Sequence, residues 1–237
     1  MHTRDKTAVR LDRFICKHTE HSHQTSRRLV ASGRVTVDDQ VLTDPRHAVS
    51  AFNTIRLDGQ LLQQQQAHYL MLNKPAGYLS ATSDPEHTTV LELLPPALRP
   101  LLHIAGRLDR ATTGLLLLTN DGSWSRQITA PEQKIPKVYR VTTAEPINPE
   151  AEIRFHQGIH LARENVTTSP AQLERLSDCS CRLTIYEGRH HQVKRMFAAI
   201  DNEVIALHRE SMGLIRLDEQ LQPGEFRELT EAERRLV

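Results

Sequence analysis

The sequence predicts an α+β chain in two parts. Three observations carry that expectation. A short helix–helix–strand module opens the chain, the glutamine-rich stretch QLLQQQQAH follows it, and short apolar strands alternate with helices beyond. With 237 residues the chain suffices for one large domain or two smaller ones, with a core that needs no staples. Lys and Arg total 30 against 29 Asp and Glu, so a basic surface for nucleic acid must come from local clustering, not bulk charge. No apolar run approaches bilayer-spanning length, and the polar start MHTRDKTAVRLD lacks the apolar segment of a signal peptide. Three Cys, an odd count, suggest no disulfide framework and point to a reducing compartment. The expectation is a soluble, cytoplasmic protein. Sparse aromatics argue against a broad base-stacking platform but leave room for a single stacking residue.

In the first part, Leu11, Phe14 and Ile15 recur at i, i+3 and i+4, a helical stripe. Ser22 suits the N-cap of a second helix and Gly33 its stop. Arg27, Arg28 and Arg34 cluster around that second helix. RVTVDDQVLTD alternates as two strands joined by a turn at Asp38-Asp39, and Thr54 to Leu57 is a third strand closed by Asp58-Gly59. On charge alone, the basic helix face is as readily a solvated surface as an RNA contact. The Gln run has no apolar period and reads as a spacer. The expected organisation is a first domain over 1–62, a linker over 63–67 and a second domain over 68–237.

In the second part, YLMLN reads as a buried strand, ended by a turn at Lys74-Pro75-Ala76-Gly77. Leu115 to Thr119 is a second buried strand. Asn120-Asp121-Gly122 ends it, with Asp121 placed to cap the helix carrying Trp124. Asp109 lies just upstream, flanked by Arg107 and Arg110. Locally it reads first as an ordinary ion pair and second as a nucleophile or base held ionised by a cation. Ala111-Thr112-Thr113-Gly114 is small and polar, suiting a loop that opens onto a substrate. Farther on, Val193, Met196, Phe197 and Ile200 set a helix starting near His191. Lys194 falls at the edge of that apolar stripe, where a cation can reach a half-buried carboxylate, and Arg195 points away from it. Cys179-Ser180-Cys181 reads as a turn before a strand over Arg182–Tyr186. The cluster of Cys16, His18, His21 and His23 matches no standard zinc spacing. No Gly-rich phosphate loop is present.

These blocks resemble known families. RLDRFICK, TSRRLVASGRVTVDDQVLTDP and IRLDG, in that order, resemble the S-four-like RNA-binding module of a small-subunit ribosomal protein and of many RNA-modifying enzymes. Two departures stand out: His23 where that family usually has Arg, and Asp39 where a turn Gly is common. GRLDRATTGLLLLTNDG, preceded by YLMLNKPAGYLSAT and followed by KVYRV and EGRHHQVKRMF, resembles the RsuA group of pseudouridine synthases over nearly the whole chain. That resemblance implies a catalytic domain with a mixed, mainly antiparallel sheet flanked by helices around a central cleft. It implies Asp109 as the catalytic carboxylate, Tyr139 against the target base and Lys194 as the cation paired with Asp109. Arg107, Arg189 and Arg195 are then expected to anchor neighbouring phosphates, with Arg27, Arg28 and Arg34 contacting RNA from the first domain. The implied reaction isomerises a uridine of ribosomal RNA and needs no cofactor and no metal. The implied partner is 16S rRNA or a small-subunit assembly intermediate, met by a monomer away from membranes. A sister enzyme acting on 23S rRNA and a non-catalytic RNA-binding assembly protein are the alternatives.

Overall fold

The computed structural model describes residues 8–236; the outermost residues of both expected domains, 1–7 and Val237, lie outside them. None of the helices in the described residues is long and apolar enough to cross a membrane. The chain forms two compact units, one ending at Ala67 and the other beginning at His68.

The first unit runs β1 (Val9–Arg10), α1 (Leu11–His18), α2 (His23–Ala31), β2 (Val35–Val37), β3 (Gln40–Leu42), β4 (Ala48–Val49), β5 (Ile55–Leu57) and β6 (Gln60–Gln63). Ser22 caps α2 by accepting from the Thr25 N–H at 3.2 Å, a contact of the kind worth about 1 kcal/mol. Asp38 and Asp39 both take positive φ, 50° and 64°. That backbone matches the right-handed twist of the two strands it joins, β2 and β3. The sheet order is β3-β2-β5-β6, all antiparallel. Leu11, Phe14, Ile15, Leu29, Val30 and Val35 are among the residues that fill the core beneath it. The spacer expectation fails at its first residue. Gln63 is the last residue of β6, and its side-chain amide donates to the Ser50 and Asn53 carbonyls, both at 2.9 Å. A polar side chain can close a sheet edge through hydrogen bonds, which a hydropathy pattern does not register.

The second unit is built on a nine-stranded sheet. Its elements are β7 (Tyr69–Lys74), β8 (His103–Ala105), β9 (Thr113–Thr119), α3 (Gly122–Thr129), β10 (Lys137–Thr143), α4 (Ala151–Gln157), β11 (His160–Leu161), β12 (Val166–Thr167), β13 (Gln172–Ser177), β14 (Ser180–Ile185), α5 (Gln192–Ala198), β15 (Val204–Met212), β16 (Ile215–Arg216), β17 (Phe226–Glu228) and α6 (Glu231–Arg234). The order is β13-β14-β10-β15-β9-β7-β17, with β16 paired to β15 and β8 to β9; β11 and β12 form a separate pair. Within this sheet β15 and β9 run parallel and the other pairs antiparallel. The mixed, mainly antiparallel sheet with flanking helices is therefore observed.

The run of four leucines in β9 follows from burial on both faces. Leu116 and Leu118 join Leu70, Leu72, Phe155 and Phe197 on one side. Leu115 and Leu117 join Met71, Trp124, Ile128 and Met212 on the other. Helices α4 and α5 thus serve one face and α3 the other. Asp121 caps α3 by accepting from the Ser123 and Trp124 N–H groups at 2.8 and 3.1 Å.

Three local expectations need correction. Lys74 is the last residue of β7 and is buried, not part of the following turn. Thr113 and Gly114 open β9 and are not in a loop; at Gly114, with φ 100°, a Cβ would sit 2.4 Å from the Arg209 carbonyl oxygen. Ser180 and Cys181 belong to β14, whose inward alternation places Cys181 in the core and ends the strand at Ile185. In each case a cross-strand partner decides the conformation, and local polarity does not report it.

Candidate active site

Asp109 lies on the segment between β8 and β9, which is held from several directions. Arg209 donates from Nη2 to the Gly106 carbonyl at 2.9 Å and from Nε to the Leu115 carbonyl at 2.8 Å. The Leu108 N–H donates to Ser80 Oγ at 3.2 Å. Lys74 Nζ donates to the carbonyls of Pro75, Arg110 and Thr112 at 3.0, 3.1 and 2.9 Å. The Gly77 N–H donates to the Arg110 carbonyl at 2.9 Å, while Arg110 Nε donates back to the Gly77 carbonyl at 3.0 Å. Thr112 donates from its N–H to the Asp109 carbonyl at 3.0 Å. Two buried cations, Lys74 and Arg209, thus brace the backbone around Asp109, a rigid mount of the kind that favours defined chemistry.

The Asp109 side chain is 28% exposed and opens into a cavity of about 540 Å³. Arg107, Lys137, Tyr139, Arg189, His191 and Arg209 share that lining. Tyr139 is 7% exposed and projects from β10 beside Val141 into the core-facing side of the sheet. His191 takes a left-handed backbone, φ 51° and ψ 30°, at the start of α5. There its Nε2 comes within 3.6 Å of Asp109 Oδ1, and its ring stacks on His190 at 3.8 Å between centroids. Burial pushes the Lys74 ammonium down to about 8, while the charge of Asp109 pulls it back up.

The residues expected from sequence divide in two. Arg107, Asp109, Tyr139 and Arg189 meet at the cavity. Lys194 and Arg195 do not line it. Lys194 is half-buried in α5 and forms no ion pair with Asp109 among the described residues. Arg195 pairs with Glu164 and donates to the His190 carbonyl at 3.0 Å. In the first unit Arg34 is committed to Asp58 through two hydrogen bonds at 2.7 and 2.5 Å, so it is a structural ion pair before it is an RNA contact. Arg28 is exposed. Arg27 lies 3.9 Å from buried Asp12, which also gathers Arg10 and, at 3.4 Å, His23.

Lys74, Lys137 and Arg209 were not singled out as functional by sequence, and His191 was read as a helix start, not as a neighbour of Asp109. Lys74 is hidden in a motif that reads as turn punctuation. Arg209 carries a usable signal, a charge sharing the inward alternation of Leu207 on an otherwise core-facing strand.

Residues 68–199 match the RNA pseudouridylate synthase family. The chain is 50% identical over 226 residues to the ribosomal small subunit pseudouridine synthase A of Pseudomonas aeruginosa, covering 95% of this chain and 98% of that protein. It is 45% identical, with the same coverage, to the protein of that name from Escherichia coli. A crystal structure of a pseudouridylate synthase superposes with a TM-score of 0.71 at 39% identity, covering 97% of this chain and 100% of the other.

Proposed function

Because the chain belongs to the RNA pseudouridylate synthase family, we propose that it isomerises a uridine of small-subunit (16S) ribosomal RNA to pseudouridine. Asp109 is the catalytic carboxylate in this reading. The observation that carries it is the braced, part-exposed Asp109 in the same cavity as buried Tyr139.

The reaction breaks the N1–C1′ bond, turns the uracil and joins C5 to C1′. The C5 proton is lost and N1 gains one, so the product is an isomer. A carboxylate suits the electron-poor C1′ and suits proton removal. The uridine leaves its stack to enter the cavity, at a cost of a few kcal/mol that is smallest in a loop or an unfolded segment. Tyr139 packs against the flipped base, a contact of about 1–3 kcal/mol. Lys194, more than 4.0 Å from Asp109, forms no ion pair with it among the described residues, and His191 stands nearer, at 3.6 Å. Arg107 and Arg189 lie at the cavity for neighbouring phosphates. Arg195, engaged with Glu164, would have to release that partner to join them. The first unit acts as a second RNA handle through Arg27 and Arg28. The chain works as a cytoplasmic monomer on rRNA or a small-subunit assembly intermediate.

The test maps pseudouridine in small-subunit and large-subunit rRNA treated with the chain or with Asp109→Asn. Asp109→Asn is expected to abolish product while keeping RNA binding. Normal turnover by that variant would sink the role of Asp109. Product in large-subunit RNA alone would overturn the target.

A further inference from the structure

Two cations in the cavity stand apart from these roles. Lys137 opens β10 two residues before Tyr139, and on a strand that spacing puts both side chains on one face. Arg209 lies directly across from Tyr139 on β15. Arg209 is 1% exposed and directs two of its nitrogens to backbone carbonyls, as described. Lys137 is half-buried, and its ammonium donates to the Ile135 carbonyl at 3.1 Å. Neither forms a salt bridge within 4.0 Å to any carboxylate among the described residues. Glu187, an acid on the cavity wall, is engaged by Arg189 at 3.3 Å, Gln192 at 2.8 Å and the Ser169 N–H at 3.0 Å.

We propose that Lys137 and Arg209 form an anion subsite for a backbone phosphodiester beside the target uridine, with Lys137 the contacting group and Arg209 the fixed charge behind it. The proposal rests on the RNA-modifying reading above and deepens it. Desolvating a cation is costly without a carboxylate in salt-bridge range. Neither Asp109 nor Glu187, the acids sharing this cavity, pairs with Lys137 or Arg209, so the two cations suit an anion that arrives with the ligand. Burial, and then the charge of Arg209, hold the Lys137 ammonium below the ordinary lysine value, which agrees with that placement. The choice of phosphate follows from depth. Tyr139 is 7% exposed whereas Lys137 is only half-buried, so the base passes inward to Tyr139 while the chain that enters and leaves stays near Lys137. A compact ammonium serves a phosphate as a point charge and needs no fixed fork geometry.

The experiment uses the 237-residue chain with Lys137→Gln and Lys137→Arg. Binding to a small-subunit rRNA transcript is measured across a salt series, with steady-state kinetics and thermal unfolding in parallel. Loss of one phosphate contact flattens the slope of log K against log salt by roughly 0.7–0.9. Lys137→Gln is expected to show that change and a several-fold higher KM, with kcat within about twofold of the parent. Lys137→Arg is expected to restore the slope. An unchanged slope in a folded Lys137→Gln chain overturns the subsite, and an unchanged slope with a collapsed kcat moves Lys137 to the reacting base. If the parent chain forms no pseudouridine in this transcript, the enzymatic reading fails, while the salt slopes still decide the phosphate contact.

Discussion

Asp109 and Lys74 show how one residue's role depends on the other's surroundings. The Lys74 ammonium has three donors and three carbonyls to receive them, two on the segment that carries Asp109. As pH rises through about 8 it loses its proton, one donor and its charge beside Asp109. Activity is therefore expected to fall on the alkaline side with a midpoint near that value. Stability moves the opposite way. The folded value lies below the reference of 10.5, so between about 8 and 10.5 the unfolded chain holds more protons and stability from this group rises with pH. A kcat/KM profile and thermal unfolding across the same buffers check both signs. Activity that stays flat to about pH 10 would remove Lys74 from the support of Asp109.

At the scale of elements, the site depends on the contact between β9 and β15, the one parallel pairing in the described sheet. It brings Arg209 from late in the chain onto the backbone around Asp109. Gly114 permits that approach: its φ is 100°, and an added Cβ would meet the Arg209 carbonyl oxygen at 2.4 Å and nitrogen at 2.7 Å. Both offending atoms are backbone and cannot swing aside. Gly114→Ala is expected to cost about 3 kcal/mol and to lower activity beyond what stability explains, because Arg209 shifts with its strand. Chemical denaturation of the variant, with activity measured well below its midpoint, tests the pair of effects. An unaltered midpoint would show that the two strands can separate without cost.

For the whole molecule, two compact units carry separate cores among the described residues, one cluster in the first and two in the second, on either face of its sheet. The first unit presents exposed Arg28, and exposed Arg27 near Asp12, whose value is held below the ordinary carboxylate one: burial alone would raise it, but the hydrogen bonds and charge of Arg10, with smaller help from the Arg13 N–H and His23, outweigh that. A chain beginning at His68 is expected to keep a cooperative unfolding transition, bind rRNA more weakly and show a shallower salt dependence. Titrations of both chains at several salt concentrations measure this. Equal slopes would mean that the first unit is not an RNA handle.

Strong local patterns were legible in the amino-acid order. The leucine run of β9, the Ser22 and Asp121 caps and the Asp38-Asp39 turn each depend on neighbours a few residues away, and each formed as expected. The GRLD block marked Asp109, and KVYRV marked Tyr139, through resemblance more than through local chemistry. The tertiary structure alone decided which cations stand beside Asp109. Lys194, read as its partner, forms no pair with it, whereas His191 comes within 3.6 Å on a left-handed backbone. Lys74 and Arg209, separated by more than half the chain, meet around one segment because β7 and β15 both pair with β9. Periodicity tells which face a side chain takes. Only strand pairing tells which distant residue faces it there, because the free energy of burying a charge is set by partners that sequence distance does not reveal.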